Sequence, residues 1–210
     1  MKKLILILLL VPMVSCSGGD DEINDCTDSE LGVNCQGADY LKNSDSPYVL
    51  PWEIGKSFTV GQGNCTDRTH ILGGTSEFAY DISMQIWTKI VAMRSGIVVE
   101  VIESFEDREA GTAGPYDETN IIRIRHPDGT RATYGHLTIN GALKNEGDPV
   151  DQGEIIALSG NTGNTTGPHL HFQVEECEDL IYSCKSLPLT FKNTSEHCFG
   201  LLDFDNNPYG

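Results

Sequence analysis

The sequence predicts a mostly β domain of antiparallel strands, with few short helices. Short apolar runs rich in Val and Ile recur between Gly, Pro, Asn and Asp residues, a pattern typical of strands joined by turns. No long segment carries its apolar residues at helical spacing. Hydrophobic residues make up 39% of the 210 residues, which is enough for a packed core. We therefore expect an antiparallel sheet or sandwich.

Five strands are predicted after residue 90. They cover residues 97–102, 120–126, 131–134, 154–158 and 169–174. A turn at Pro127-Asp128-Gly129 joins the second of these strands to the third. Residues 103–119 are polar and too numerous for a tight hairpin, so they predict an insertion between the first two strands.

The N-terminus has the pattern of an export signal. Lys2 and Lys3 precede an apolar run over residues 4–14. The run is shorter than the roughly 20 residues that a membrane-spanning helix needs. We therefore interpret residues 1–15 as a signal peptide.

This signal ends in Met13-Val14-Ser15-Cys16, which resembles the lipobox of bacterial lipoproteins, with Met13 in place of the usual Leu. The resemblance implies that Cys16 becomes the N-terminus and carries acyl chains. The chain would then be lipid-anchored on the bacterial cell envelope. An ordinary signal peptide cut near Ser15 is the alternative.

Residues 16–48 predict a flexible acidic tether, because Gly, Asp, Asn and Ser are frequent there. Its cluster Asp20-Asp21-Glu22 resembles the surface-export signal of some bacterial lipoproteins, with an ordinary polar tether as the alternative. The sequence therefore leaves open whether the anchored protein is periplasmic or surface-exposed at the outer membrane. Residues 49–210 are the predicted folded domain, with a core over 55–175 and a disulfide-containing C-terminal extension over 176–210.

The charge of the chain excludes one class of partner. The formal net charge is −17, and removal of Lys2 and Lys3 with the signal would make it more negative. Nucleic-acid phosphates require clustered Lys and Arg. We therefore expect no nucleic-acid binding.

Seven cysteines indicate an exported chain with disulfides. Cys16 belongs to the lipobox, and an even number remains: Cys26, Cys35, Cys65, Cys177, Cys184 and Cys198. The pairing stays open at this point, and our working choice is Cys26–Cys35 and Cys177–Cys184 as local loops with Cys65–Cys198 as a long connection. No Cys-x-x-Cys motif occurs, which argues against a cysteine zinc site.

The histidine pair His169-Leu170-His171 is the most informative motif. Residues two apart in a strand point to the same face, so both imidazoles would enter one groove. Imidazole is the commonest zinc ligand, so this arrangement favours metal binding.

Further motifs surround this pair. In chain order they are Val91-Ala92-Met93-Arg94-Ser95-Gly96-Ile97-Val98, Tyr134-Gly135-His136-Leu137, Gly147-Asp148-Pro149-Val150, Gly153-Glu154-Ile155-Ile156, Ser159-Gly160-Asn161-Thr162-Gly163 and Gly167-Pro168-His169-Leu170-His171-Phe172. Together they resemble the LytM/lysostaphin-type peptidases of the M23 metallopeptidase family over roughly residues 55–175. The resemblance implies a β domain with a metal groove.

That family binds one zinc ion through a His, an Asp and the second His of the His-x-His motif. Carried over, the ligands are His70, Asp81 and His171. Ten residues separate His70 from Asp81, where many members have three. Two His and one carboxylate leave a fourth position open, as in catalytic zinc sites. His136 and His169 match the two non-ligand histidines that move protons or stabilise an oxyanion, and the sequence does not show which is the general base.

The resemblance implies a zinc-dependent endopeptidase that hydrolyses peptide bonds in peptidoglycan cross-links or stem peptides. Its partners would be peptidoglycan peptides and, through the lipid anchor, a membrane. Whether a protein activator is needed stays open. Two alternatives are an inactive binding or regulatory module of the same fold and a peptidase acting on glycine-rich proteins.

Overall fold

The computed structural model describes residues 38–66, 68–177 and 184–194. These residues form eleven strands and two short 3-10 turns, Asn43–Asp45 and Tyr116–Glu118. The strands are β1 (Thr59–Gln62), β2 (Tyr80–Ser83), β3 (Lys89–Val91), β4 (Gly96–Ile102), β5 (Ile121–Arg125), β6 (Arg131–Gly135), β7 (Leu137–Ala142), β8 (Pro149–Val150), β9 (Ile155–Ser159), β10 (His169–Cys177) and β11 (Cys184–Ser186). The predicted mostly β class is confirmed.

The strands form two antiparallel sheets. The larger has the order β1-β2-β10-β6-β5-β4-β8, with β11 paired to β10, and the smaller has the order β3-β9-β7. The motif over residues 91–98 is divided between these sheets, because β3 pairs with β9 and β4 pairs with β5. In the larger sheet, β2, β10 and β6 are neighbours, and these strands position the candidate site.

Alternate residues of β2 and β10 face either the hydrophobic core or the candidate site. Tyr80 in β2 and Phe172 in β10 are directly opposite each other and completely buried, with stacked rings 5.5 Å apart. The residues next to them, Asp81 and His171, point to the other face. Burial of the aromatic side chains drives the packing of one face and fixes the strand register. The same register therefore brings the polar side chains together on the opposite face.

Residues before and after the predicted core also belong to the folded unit. Asn43 and Ser46 are buried, and the Ser46 hydroxyl donates a 2.5 Å hydrogen bond to the carbonyl of Thr190. This packing places residues 43–48 in the domain rather than in a tether. Leu189 and Phe191 from the expected C-terminal extension are likewise buried in the hydrophobic core. Among the described residues, no helix has the length and apolar character needed to cross a membrane.

Two of the predicted disulfide cysteines are bonded to each other. Cys177 and Cys184 form a disulfide between β10 and β11, which is the local pair chosen from the sequence. Cys65 is buried and disulfide-bonded. Its expected partner Cys198 lies outside the described residues, so that pairing stays a prediction. The signal peptide and Cys16, Cys26 and Cys35 also lie outside them.

Candidate metal centre

Three neighbouring strands bring most of the expected site residues to one face of the larger sheet. Asp81 in β2 lies directly opposite His171 in β10, and His171 lies opposite Gly135 at the end of β6 on its other side. His169 precedes His171 by two residues and therefore shares its face. His136 follows Gly135 in a left-handed conformation with a φ of 58°, which is uncommon outside glycine and occurs often at functional sites.

His70 comes from the loop between β1 and β2 and is completely buried. Its Nδ1 lies 2.9 Å from the carbonyl oxygen of Gly63. Because a carbonyl only accepts hydrogen bonds, Nδ1 carries a proton, and the tautomer that satisfies this bond has its lone pair on Nε2. That Nε2 is buried, has no hydrogen-bond partner among the described residues and lies 3.5 Å from Oδ1 of Asp81. Two acceptor atoms thus face each other, an arrangement that a cation between them would satisfy.

Asp81 lies between His70 and His171. Its Oδ1 is 2.8 Å from Nδ1 of His171, and one ligand atom from each of the three residues lies within 4.8 Å of the other two. Burial opposes ionisation of Asp81, but the hydrogen bond and the charge of His171 outweigh burial and hold its pKa well below the usual range. Two imidazoles and an ionised carboxylate are a donor set of catalytic zinc sites, so these residues fit a metal ion.

His171 differs from His136 and His169 in its protonation. Burial alone would lower its pKa, but the hydrogen bond and the negative charge of Asp81 outweigh burial and raise it. In the absence of a metal, a proton on His171 therefore neutralises part of the charge of Asp81. A metal ion would take over that role, so metal binding should release this proton.

His136 and His169 form a second pair beside the three candidate ligands. Their ring centroids are 4.3 Å apart, and Nε2 of His169 is 3.8 Å from Oδ1 of Asp81. Burial lowers the pKa of His136 to about 3, and the neighbouring His169 and His171 add to this shift. Burial also lowers the pKa of His169. Both rings are therefore neutral near pH 7.

Backbone carbonyls of one loop orient this pair. Nδ1 of His136 donates to the carbonyl of Thr162 at 2.7 Å, and Nδ1 of His169 donates to the carbonyl of Gly167 at 2.8 Å. The hydroxyl of Thr165 lies 3.0 Å from the same Nδ1 of His169. In both neutral rings the lone pair is consequently on Nε2. Each ring can accept a proton there.

The insertion predicted over residues 103–119 supports this loop. The carboxylate of Asp107 accepts a 2.6 Å hydrogen bond from the backbone N–H of Asn161 and another from the Thr138 hydroxyl. The loop approaches so closely that a Cβ on Gly160 would overlap Thr138 and Asp107. Sequence reasoning singled out the insertion by its length but missed Asp107, and only the unusual length hinted at its role.

The sequence matches the model of peptidase family M23 over residues 75–182, just over half of the chain. The chain belongs to peptidase family M23. The matched segment contains Asp81, His136, His169 and His171. His70 precedes it, so the case for His70 depends on its geometry beside Asp81.

Two curated relatives and one solved structure illustrate the similarity of this M23 family member. An uncharacterised metalloprotease from Haemophilus influenzae is 39% identical over 93 residues, covering 44% of this chain and 17% of the relative. The peptidoglycan DD-endopeptidase ShyA from Vibrio cholerae is 32% identical over 144 residues, covering 64% of this chain and 29% of the relative. The structure of lysostaphin from Staphylococcus simulans has a TM-score of 0.47 and 26% identity, covering 67% of this chain and 50% of the other. This M23 chain thus spans less than a third of the two curated relatives.

Proposed function

We propose that this chain is a zinc-dependent metalloendopeptidase that hydrolyses peptide bonds in peptidoglycan cross-links or stem peptides. The observation that carries the proposal is the buried Nε2 of His70, which has no hydrogen-bond partner among the described residues and faces the ionised Asp81. Structural zinc sites use four protein ligands, whereas catalytic sites use three and leave one position for water or substrate. Three candidate ligands with a neutral histidine pair beside them match the second arrangement.

The metal would be held by Nε2 of His70, Oδ1 of Asp81 and Nδ1 of His171. A zinc ion supplies Lewis acidity, which polarises the scissile carbonyl and lowers the pKa of a water molecule at the open position. Membership of family M23 and the relative named as a peptidoglycan DD-endopeptidase support this chemistry and this substrate class.

His136 and His169 would carry the proton transfers. Each ring is anchored through its Nδ1–H to a backbone carbonyl and presents Nε2 as the free acceptor atom. One ring takes the proton of the attacking water, and a protonated ring can then donate to the oxyanion or to the leaving amine. The low pKa of both rings keeps them in the acceptor form before the reaction.

A digestion assay tests the function. The purified full-length chain is incubated with cell-wall peptidoglycan, with cross-linked fragments and with a glycine-rich protein, and new amine ends are identified by mass spectrometry. We expect new ends in the peptidoglycan samples that disappear with a chelator and in an Asp81→Ala control. Cleavage of the glycine-rich protein alone would contradict the substrate class. Zinc binding without any cleavage would favour the inactive binding module.

We also propose that Cys16 is lipidated and that the chain is anchored in the bacterial cell envelope. The support is the apolar run over residues 4–14, which is followed directly by Ser15 and Cys16 of the lipobox-like motif. A single acyl chain binds a membrane weakly, whereas two or more hold it stably. Metabolic labelling with a fatty acid should mark the wild type and not Cys16→Ser. An unlabelled wild type would contradict the anchor.

A further inference from the structure

After His169, strand β10 carries three further polar side chains at alternate positions: His171, Gln173 and Glu175. Residues at this spacing point to the same face of a sheet. Gln173 and Glu175 are both buried, although Gln and Glu are mostly exposed in proteins. Neither takes part in the proposed cleavage, yet their hydrogen bonds lead from the sheet interior to His171.

The carboxylate of Glu175 is held by two residues of β6. Its Oε1 accepts a 2.7 Å hydrogen bond from Nε of Arg131 and a 2.9 Å hydrogen bond from the hydroxyl of Thr133. A buried charge is tolerated when it is paired and hydrogen-bonded. Glu175 therefore presents its second oxygen, Oε2, as a fixed anionic acceptor.

This acceptor fixes the side-chain amide of Gln173. The Nε2 group of Gln173 donates a 2.7 Å hydrogen bond to Oε2 of Glu175. A flipped amide would place its carbonyl oxygen against the carboxylate, with two acceptors in contact. The amide oxygen must therefore point the other way, and it lies 3.4 Å from Nε2 of His171.

The amide oxygen in turn determines which proton His171 would keep when a metal binds. Because an amide oxygen only accepts, Nε2 of His171 donates to it, so the proton that a metal would displace is the one on Nδ1. Nδ1 is the atom that faces Asp81 at 2.8 Å. His70 has the opposite arrangement, with the proton on Nδ1 and Nε2 towards Asp81. The two candidate ligands therefore need different tautomers, and each has a partner that selects the right one.

We propose that Glu175 and Gln173 are positioning residues that fix the proton of His171 on Nε2 and so keep Nδ1 available to the metal. The inference rests on the metal centre of the proposed function. Hydrogen bonds to the far nitrogen of a ligating histidine typically change metal affinity 10–100-fold. Glu175 acts through Gln173, and Gln173 acts through His171. Substitutions at Gln173 or Glu175 should therefore lower zinc affinity, which can be measured without an assay of catalysis.

Two variants of Gln173 separate this role from a structural one. Gln173→Met removes the acceptor at similar size and should weaken zinc binding by about 10–100-fold, measured by competition with a chromophoric chelator on the full-length chain. Gln173→Glu keeps an acceptor for Nε2 of His171 but puts two acids side by side. It should lose thermal stability while its zinc dissociation constant stays within about threefold of wild type, the rescue expected if the acceptor is what matters.

A control removes a buried hydrogen bond from the other face of the same sheet. The hydroxyl of Tyr134 accepts a 2.7 Å hydrogen bond from the backbone N–H of Met93, so Tyr134→Phe should lower stability and leave zinc affinity unchanged. The imidazole 15N signals of His171 in the zinc-loaded wild type should show the proton on Nε2. Equal zinc affinity in wild type and Gln173→Met, or the metal on Nε2 of His171, would overturn this role alone. Failure of the wild type to bind zinc would overturn both this role and the proposed metal centre.

Discussion

The three candidate ligands and the neighbouring histidine pair share one face of the sheet but are held in different ways. Asp81 is anionic and its partners His70 and His171 face it with ring nitrogens, so this group presents a negative charge that a metal ion would balance. His136 and His169 are neutral and are held by backbone carbonyls of the loop 160–167. Substitutions in the first group should therefore abolish metal binding, whereas substitutions in the second should only lower the cleavage rate.

The largest effect is expected from Asp81→Asn. The substitution keeps the size of the side chain but removes the charge that faces two imidazoles, so zinc binding and peptidoglycan cleavage should be lost together. Zinc content by elemental analysis and the cleavage rate are measured on the same preparation. Asp128→Asn makes the same charge change beside Arg94, away from the site, and should keep zinc. Full zinc in Asp81→Asn would remove Asp81 from the metal centre.

His136→Ala should distinguish the role of the histidine pair from that of the candidate ligands. The candidate ligands remain, so we expect zinc content close to that of the wild type. The loss of a positioned proton-transfer group should reduce turnover by about 10²–10⁴-fold. Full activity with full zinc would exclude His136 from the mechanism. Loss of zinc would instead mean that the two groups are not independent.

The parts of this site that the sequence predicted are those set by strand periodicity. The spacing of His169 and His171 places them on one face of any strand, and the structure shows them there in β10. The family resemblance pointed to Asp81 and His136, and the sheet register brings both beside His171. His70 was harder to assign, because it lies in a loop and its position depends on the Nδ1 hydrogen bond to Gly63.

The parts that the sequence did not predict are set by contacts between distant segments. Asp107 meets the backbone of Asn161 from 54 positions away, and no local pattern encodes that contact. The same holds for the buried Asn43, whose side chain donates to Thr194 across 151 positions although composition alone placed it in a tether. Low hydrophobicity predicts exposure of a segment on average, but a few specific hydrogen bonds can hold such a segment on a domain.

The loop 160–167 can be disturbed without changing a histidine. Asp107→Ala removes the acceptor for the N–H of Asn161 and for the hydroxyl of Thr138, so the carbonyl of Thr162 should lose its fixed position. Small misplacements in a site can cost about 10²-fold, and we expect a rate loss of about 10–100-fold with zinc affinity unchanged.

Glu118→Gln is the matched control for Asp107→Ala. Glu118 pairs with Arg108 within the same insertion but has no hydrogen bond to the loop among those that the structure describes. Its substitution should leave the rate within about twofold of wild type, as expected for a surface ion pair. Equal rates in Asp107→Ala and Glu118→Gln would show that the insertion does not position the histidine pair.

The smallest effect is expected at His126, which shares three features with His70. Both rings are buried, both place Nδ1 near a backbone carbonyl, and both have an Nε2 without a hydrogen-bond partner among the described residues. The Nε2 of His70 faces Asp81, whereas His126 packs against the ring of Tyr48. We therefore expect His126→Phe to leave zinc content and cleavage unchanged, which would make the carboxylate the feature that distinguishes a ligand from a core histidine.

The same substitution should change the response of stability to acid. Burial lowers the pKa of His126 below its ordinary value of 6.5, so the unfolded chain binds this proton more readily than the folded chain does. Its contribution to stability is therefore complete above about pH 6.5 and is lost as the pH falls below that value. Thermal unfolding is measured at about pH 7 and about pH 5, on either side of the ordinary histidine pKa of about 6.5. The loss of thermal stability on acidification should be smaller in His126→Phe than in wild type. His136 and His169 also resist protonation, so part of the loss should persist in the variant. An identical loss in both proteins would mean that His126 is as easily protonated in the folded chain as in the unfolded one.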